Sequence, residues 1–171
     1  MFNFLRHAVS GIVSSGEPLA VGATAPGVPG VNQDGRTVDL GALYHNGYVL
    51  VFFYPMAGTP GCTAEACSLR DAFADLHNLG LLTIIGVSHD CIEDQKKFAV
   101  KQGLPFDLIA DPKSEIYNAF GVAGLRRQSF LMKDGVVIWR DLHASTDQQA
   151  DDVKKALLED QAKSAKSAGS Q

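Results

Sequence analysis

Two cysteines, Cys62 and Cys67, are the residues of this sequence whose types and spacing most clearly predict chemistry. Cys62 follows a Thr-Pro-Gly turn and is expected in the first turn of a helix, where free amides and the positive end of the helix dipole stabilise a thiolate. The thiolate is the nucleophilic form of cysteine. Pro60 suits a helix start, which needs no donor there, and Gly61 lets a ligand approach the backbone closely. The pattern predicts a nucleophile that a small substrate can reach.

Cys67 lies five residues after Cys62. Five residues of helix advance about 7.5 Å and turn two side chains roughly 140° apart. A disulfide needs Cα atoms within about 7 Å and converging Cβ vectors, so a bond between these thiols requires local unwinding. The pair is therefore better interpreted as a two-state redox device than as a static disulfide. The absence of a Cys-x-x-Cys motif argues against an ordinary dithiol oxidoreductase.

The composition is that of one globular domain. The chain has 171 residues, of which 46% are hydrophobic and 20% charged, so it can bury a core. The net charge is -4 and Lys and Arg do not cluster, so we expect neither a nucleic-acid nor a membrane partner. No apolar run approaches the roughly 18 residues that span a bilayer. Three cysteines are too few for a secreted disulfide scaffold, and we expect a cytoplasmic protein.

The elements that must position the cysteines are predicted to form an α/β fold, with a mixed central sheet flanked by helices and an N-terminal β-hairpin. Continuous apolar runs indicate strands that are buried on both faces, and Asp-Gly pairs indicate hairpin turns. Their order is typical of a thioredoxin-like fold. The predicted strands include Tyr48 to Tyr54 and Leu81 to Val87, the hairpin turns are Gln33 to Arg36 and Lys133 to Gly135, and the helices are Cys62 to Leu79, Asp90 (as cap) to about Gly103, Glu115 to Phe120, and Asp147 to about Ala162.

The two ends of the chain are predicted to lie outside the main domain, which spans residues 17–163. Residues 1–16 carry apolar side chains at helical spacing, which favours a short amphipathic helix docked on the body or on a second subunit over one lying on a membrane surface. Residues 164–171 lack apolar periodicity, and we expect a disordered tail. A monomer is expected, although the N-terminal apolar stripe offers a way to pair two chains.

The segment around the cysteines resembles a known family. Residues 55–67, Pro-Met-Ala-Gly-Thr-Pro-Gly-Cys-Thr-Ala-Glu-Ala-Cys, are similar to the active-site segment of peroxiredoxins, in particular the Q subfamily, also called bacterioferritin comigratory proteins. Taken alone, a cysteine after a buried strand is more often a small core residue, but the full motif reverses that interpretation. The resemblance extends over roughly Pro18 to Leu142 and includes Val21 to Pro26, Val87 to Asp90, and Arg127 to Leu131.

The resemblance implies roles for individual residues. In the motif P-x-x-x-T-x-x-C, the positions that match Pro55, Thr59 and Cys62 shield the thiol, hydrogen-bond the peroxide and attack it. Arg127 matches the arginine that stabilises the thiolate and the charge developing on oxygen as the O–O bond breaks. Arg126 is the alternative, but the family places its arginine two residues before a Ser-Phe pair. Glu65 is expected to orient the site through a hydrogen bond, unless it is a solvated helix carboxylate.

The activity that the resemblance implies is reduction of hydrogen peroxide and organic hydroperoxides. Cys62 would form a sulfenic acid and then a disulfide with Cys67, which thioredoxin or glutaredoxin would reduce. Such a reaction needs no organic cofactor or metal, and the five histidines lack the spacing of zinc sites. A redox sensor and a chaperone are alternative functions, but a sensor needs only the thiols and not Thr59 or Arg127. Cys91 is expected to be an incidental thiol.

Overall fold

The structure is a computed structural model that describes residues 16–169. Within these residues it contains seven strands and five helices. In chain order they are β1 (Pro29–Asn32), β2 (Thr37–Asp39), α1 (Leu40–Leu43), β3 (Tyr48–Phe53), α2 (Pro60–Asn78), β4 (Leu81–Ser88), α3 (Ile92–Gln102), β5 (Asp107–Ala110), α4 (Glu115–Phe120), β6 (Gln128–Lys133), β7 (Val136–Asp141) and α5 (Gln149–Ala168).

All seven strands belong to one sheet, in the order β2-β1-β5-β4-β3-β6-β7. Strands β3, β4 and β5 are parallel, whereas β1, β2, β6 and β7 pair with their neighbours in the antiparallel sense. The predicted mixed sheet and N-terminal hairpin are therefore confirmed. Because parallel strands end at the same edge of a sheet, the segments that follow β3 and β4 lie side by side there.

Strand β3 lies inside the sheet, and each of its six side chains is buried. Successive side chains of a strand point to opposite faces, so Phe52 and Phe53 enter different cores. Phe52 packs in the core beneath α2, α3 and α5, and Phe53 packs in the core beneath α1 and α4. The helices thus cover both faces of the sheet, which explains the continuous apolar run of β3 in the sequence.

The second predicted hairpin joins β6 and β7 and has the backbone that its sequence requires. Asp134 and Gly135 have positive φ angles of 50° and 82°, a conformation that Asp and Gly tolerate. Residues 22–25 then run along the start of β7, where the backbone N–H of Gly22 donates to the carbonyl of Val137 at 2.7 Å. That segment covers part of an edge of the sheet that would otherwise expose unpaired backbone groups.

Three details differ from the sequence prediction. Helix α5 continues to Ala168, so residues 164–168 are helical and the predicted disordered tail is wrong for them. The alternation of Ala, Lys and Ser there still permits helix, because Ala and Lys have high helix propensity. Asp90 does not cap α3, since the N-cap residue is Cys91. The short helix α1 was not predicted, because it is only four residues long.

The amphipathic helix predicted within residues 1–16 falls almost entirely outside the described residues. Among the helices that are described, none is long and apolar enough to cross a membrane.

Adjacent leucines of α5 give a test of how this helix docks. Leu157 is fully buried against the sheet, whereas Leu158 is 46% exposed. Leu157→Ala should lower the free energy of unfolding by about 2 to 5 kcal/mol, because it leaves a cavity in the core. Leu158→Ala, which has the same effect on helix propensity, should cost less than about 1 kcal/mol. Urea denaturation of both variants measures the difference, and equal losses would contradict this packing of α5.

Candidate active site

The first turn of α2 forms one wall of the site. Thr59 is the N-cap residue, Pro60 begins the helix, and Cys62 follows within the first turn, with its side chain almost completely buried. That turn contains no acidic residue, so the positive end of the helix dipole is not neutralised there. Gly61 allows a close approach: a Cβ atom at this position would lie 3.2 Å from Arg127 Nη2. A larger residue would push the guanidinium away.

Arg127 connects the two functional groups of α2. Its Nη2 donates to Cys62 Sγ at 3.3 Å, and its Nη1 donates to Glu65 Oε2 in a salt bridge. The Arg127 side chain is 16% exposed and that of Glu65 is fully buried. A guanidinium fixed at this distance stabilises negative charge on sulfur, and it can also donate to an oxygen atom that accepts charge beside the sulfur.

Arg127 is held in place by the strand that it precedes and by the loop after β7. It lies immediately before β6, and its carbonyl accepts a hydrogen bond from the backbone N–H of Ala144 at 3.2 Å. Thr146, in the same loop, lies close to Gly61. Arg126 is exposed, in contrast to Arg127. The structure thus brings Arg127, and not its neighbour, to the cysteine.

The loop between β3 and α2 contains Pro55 near its start and ends at Thr59, the N-cap residue of the helix. Thr59 Oγ1 donates to the carbonyl of Met56 at 2.8 Å and makes no cap hydrogen bond to α2. Gly58 has a φ of 79°, which closes this turn without strain. Pro55 is half-buried and follows the fully buried Tyr54. Thr59 therefore lies at the start of the helix that carries Cys62, and Pro55 lies at the other end of the loop, directly after β3 and Tyr54.

Glu65 is a buried acid beside a cation. Burial raises the pKa of its carboxyl group to about 8, although the charge and hydrogen bond of Arg127 lower it, and nearby Asp141 raises it slightly further. Burial thus favours the neutral form of this carboxyl group, whereas the ion pair with Arg127 favours its ionised form. The solvated helix carboxylate that we considered as an alternative for Glu65 does not agree with its complete burial.

Cys67 lies apart from Cys62, and both thiols are free. Cys67 is half-buried, and its thiol donates to Gln102 Oε1 at the end of α3, at 3.5 Å. Arg70 Nη1 donates to the backbone carbonyl of the same Gln102 at 2.6 Å. The two thiols thus point to different neighbours, one to Arg127 and one to α3.

Cys91 is exposed at the start of α3 and, unlike Cys62, is not paired with an arginine among the described residues. The backbone N–H of Asp94 lowers the pKa of its thiol, but the carboxylates of Glu93 and Asp94 outweigh this and raise it overall. Cys91 is therefore a poor nucleophile near neutral pH. Across residues 16–169, no three His, Cys, Asp or Glu side chains converge in a group that could hold a metal ion.

Sequence reasoning missed the residues that support the site from a distance. Asp141, Ala144 and Thr146 lie in or beside the loop after β7, and Gln102 ends α3. No local pattern marks these positions, because each one acts through a contact that only the folded chain creates.

The comparisons with known proteins identify the family. The AhpC/TSA family profile matches residues 21–140. The chain is a peroxiredoxin of the AhpC/TSA family. Peroxiredoxin Bcp of Escherichia coli is 40% identical to this peroxiredoxin over 121 residues, which cover 70% of this chain and 75% of the relative. Thiol-dependent peroxide reduction is therefore its activity.

Solved structures confirm the thioredoxin-like fold of this peroxiredoxin. Peroxidoxin BcpB of Mycobacterium tuberculosis superposes with a TM-score of 0.75 at 30% identity, covering 80% of this chain and 95% of the other. The bacterioferritin comigratory protein of Xanthomonas campestris, whose structures give insights into its alkyl peroxide reduction activity, has a TM-score of 0.74 at 26% identity and covers 82% and 97%. The Q-type resemblance is thereby confirmed.

Arg127 can be tested by a conservative substitution. Arg127→Lys keeps the charge but loses the paired donors that reach Cys62 and Glu65 together, a geometry that an ammonium group cannot reproduce. The rate of Cys62 oxidation by hydrogen peroxide should fall about a hundredfold or more, as expected when a preorganised donor to developing charge is lost. Single-turnover mass spectrometry of quenched samples gives this rate. Arg126→Lys is the matched control, and equally small effects at both positions would show that the role of Arg127 is assigned wrongly.

Glu65 gives a prediction for pH dependence. Because its pKa is raised to about 8, Glu65 is neutral below that pH and ionised above it. The new negative charge repels the Cys62 thiolate and attracts Arg127, so the rate of Cys62 oxidation should decrease as the pH rises through 8. Glu65→Gln keeps an oxygen for Arg127 but cannot ionise, and should lack the decrease. Asp75→Asn, on an exposed part of α2, should retain it; an unchanged decrease in Glu65→Gln would contradict the assignment.

Proposed function

We propose that Cys62 is the peroxidatic thiol of this peroxiredoxin. Its thiolate attacks the terminal oxygen of the hydroperoxide, so that an S–O bond forms while the O–O bond breaks. The leaving oxygen takes a proton and departs as water or an alcohol, and Cys62 is oxidised to a sulfenic acid. The observation that supports this most directly is the 3.3 Å hydrogen bond from Arg127 Nη2 to Cys62 Sγ at the start of α2.

The residues around Cys62 fit the requirements of that step. Charge moves from sulfur to the departing oxygen, and a guanidinium beside the sulfur stabilises both ends of this movement. Thr59 and Pro55 are proposed to flank the approach, and Thr59 Oγ1, whose proton is donated to Met56, keeps lone pairs that can accept a hydrogen bond from the peroxide. Glu65 holds Arg127 through Nη1, which leaves Nη2 directed at the reacting atoms.

Cys67 is proposed to be the resolving thiol. Its sulfur attacks the sulfur of the Cys62 sulfenic acid, so that an S–S bond forms, the S–O bond breaks and water leaves. The two cysteines lie five residues apart within α2, so this step requires the helix to unwind between them. A thiol is a weak hydrogen-bond donor, so the bond from Cys67 to Gln102 opposes such a change only weakly.

Thioredoxin, or glutaredoxin in its place, is the proposed reductant of the Cys62–Cys67 disulfide. A dithiol reductant attacks one sulfur of the bond and returns both cysteines to thiols, at the expense of its own oxidation. The alkyl peroxide reduction reported for the Xanthomonas campestris relative supports organic hydroperoxides, together with hydrogen peroxide, as substrates. The cytoplasmic location and the monomeric state stay predictions.

The Cys67→Ser variant tests the proposed reaction sequence. It should consume one equivalent of peroxide and then stop in the presence of thioredoxin, because the sulfenic acid has lost its internal partner. The matched variant Cys62→Ser should consume none, since a serine hydroxyl stays protonated at neutral pH. Peroxide consumption with the thioredoxin system is measured for both. Sustained turnover by Cys62→Ser would refute the peroxidatic role, and wild-type turnover by Cys67→Ser would refute the resolving role.

A further inference from the structure

Asp90 contacts the loop before the nucleophile instead of capping α3. The backbone N–H of Ala57 donates to Asp90 Oδ2 at 2.7 Å. The hydroxyl of Ser88 donates to the same oxygen at 2.6 Å, and the backbone N–H of Asp90 donates back to Ser88 Oγ at 3.2 Å. Asp90 therefore joins the end of β4 to the loop that leads from β3 into α2.

Gln95 of α3 fixes the other side of this connection. Its Nε2 donates to Ser88 Oγ at 2.9 Å and to the carbonyl of Ile109 at 3.0 Å. Its Oε1 accepts a hydrogen bond from the hydroxyl of Tyr54. Tyr54, Ser88 and Gln95 are all fully buried. One amide thus ties together the ends of the three parallel strands, and buried polar groups that find all their partners make such a region rigid.

The direction of each hydrogen bond in this network is fixed. Ser88 Oγ accepts from Gln95 Nε2 and from the backbone of Asp90, so its single proton is given to Asp90 Oδ2. That oxygen also accepts the N–H of Ala57, and it therefore acts only as an acceptor. Loss of the Asp90 side chain would leave the hydroxyl of Ser88 and the N–H of Ala57 without their acceptor.

The loop that Asp90 holds determines where Thr59 lies. Thr59 closes a turn onto Met56 through its backbone N–H and its hydroxyl, at 3.5 and 2.8 Å from the Met56 carbonyl. Ala57 lies inside this turn, and its N–H is the group that Asp90 binds. Movement of Ala57 would therefore move Thr59, which caps the helix that carries Cys62.

We propose that Asp90, held by Ser88 and Gln95, is a positioning residue that fixes the turn from Met56 to Thr59 and so aligns Thr59 with the peroxide at Cys62. The inference rests on the proposed function of Cys62 and Thr59. Asp90 does not touch the reacting atoms but acts through the backbone of Ala57. A misplacement of about 1 Å in a reacting geometry can cost roughly a hundredfold in rate, so a single backbone contact is sufficient for a large effect.

The test compares two reactions of the same cysteine. Asp90→Ala should lower the single-turnover rate constant for Cys62 oxidation by hydrogen peroxide about tenfold to a hundredfold. The rate constant for alkylation of Cys62 by iodoacetamide should not fall, because alkylation requires the thiolate but not an aligned Thr59. Hydrogen exchange of the Ala57 amide should become faster in the same variant, a readout that does not depend on peroxidase activity.

Two further variants provide controls. Asp90→Asn keeps an oxygen that can accept from Ala57 and Ser88, and should recover most of the rate. Asp94→Ala removes an exposed carboxylate from the first turn of α3 that makes no hydrogen bond to the loop, and should react like the wild type. If the rate constant for Cys62 oxidation in Asp90→Asn is as low as in Asp90→Ala, the proposal is overturned.

The remaining outcomes separate this proposal from the one on which it rests. An unchanged peroxide rate in Asp90→Ala, with normal wild-type turnover, would overturn the role of Asp90 alone. Parallel losses of peroxide oxidation and alkylation would also overturn it, because they indicate general disorder of the site. A wild-type protein that does not react with peroxide would overturn the proposed function, and the role of Asp90 with it.

Discussion

The interaction on which the site depends is the contact of one guanidinium with two partners on the same helix. Arg127 reaches Cys62 and Glu65 at once, and both partners are buried on α2. A buried charge is costly unless its donors are satisfied, so Arg127 stabilises the fold only while both partners stay in reach. Arg127 directly precedes β6. The pairing register of β6 with β3 and the position of α2 on the face of the sheet must therefore both be fixed.

The protonation of Glu65 determines how the charge of Arg127 is shared. A full negative charge on Glu65 would compete with the Cys62 sulfur for the same guanidinium, whereas a neutral carboxyl group still accepts the hydrogen bond from Nη1 and holds Arg127 in place. Burial raises the pKa of Glu65 and so favours the neutral form, which orients Arg127 without competing for its charge. A solvated glutamate would do both. In the neutral form of Glu65, the orientation of Arg127 is kept and competition for its charge is reduced. This is why the exposure of Glu65, and not only its identity, matters for the site.

Much of the fold and of the site could be predicted from the sequence, because local residue patterns determine those features. The apolar run from Tyr48 defines β3, and the Thr-Pro-Gly turn places Cys62 in the first turn of α2. Other features depend on contacts between distant segments. An aspartate before a helix has the same sequence pattern whether it caps that helix or binds a loop, and Asp90 contacts Ala57 across 33 positions of sequence. The burial of Glu65 likewise follows from the packing of α2 on the sheet.

Helix α2 has to satisfy two opposing demands in the proposed reaction. The attack on peroxide requires its first turn to be rigid, and that turn is held from one side by Arg127 and from the other by the loop that Asp90 binds. Formation of the disulfide requires the helix between the cysteines to unwind. Cys62 is almost completely buried and accepts a hydrogen bond from Arg127, while Cys67 is half-buried and its thiol donates to Gln102. The proposed reaction therefore needs a helix whose first turn is held during the attack on peroxide and whose backbone opens between Cys62 and Cys67 only afterwards, which makes this local opening a step separate from the attack.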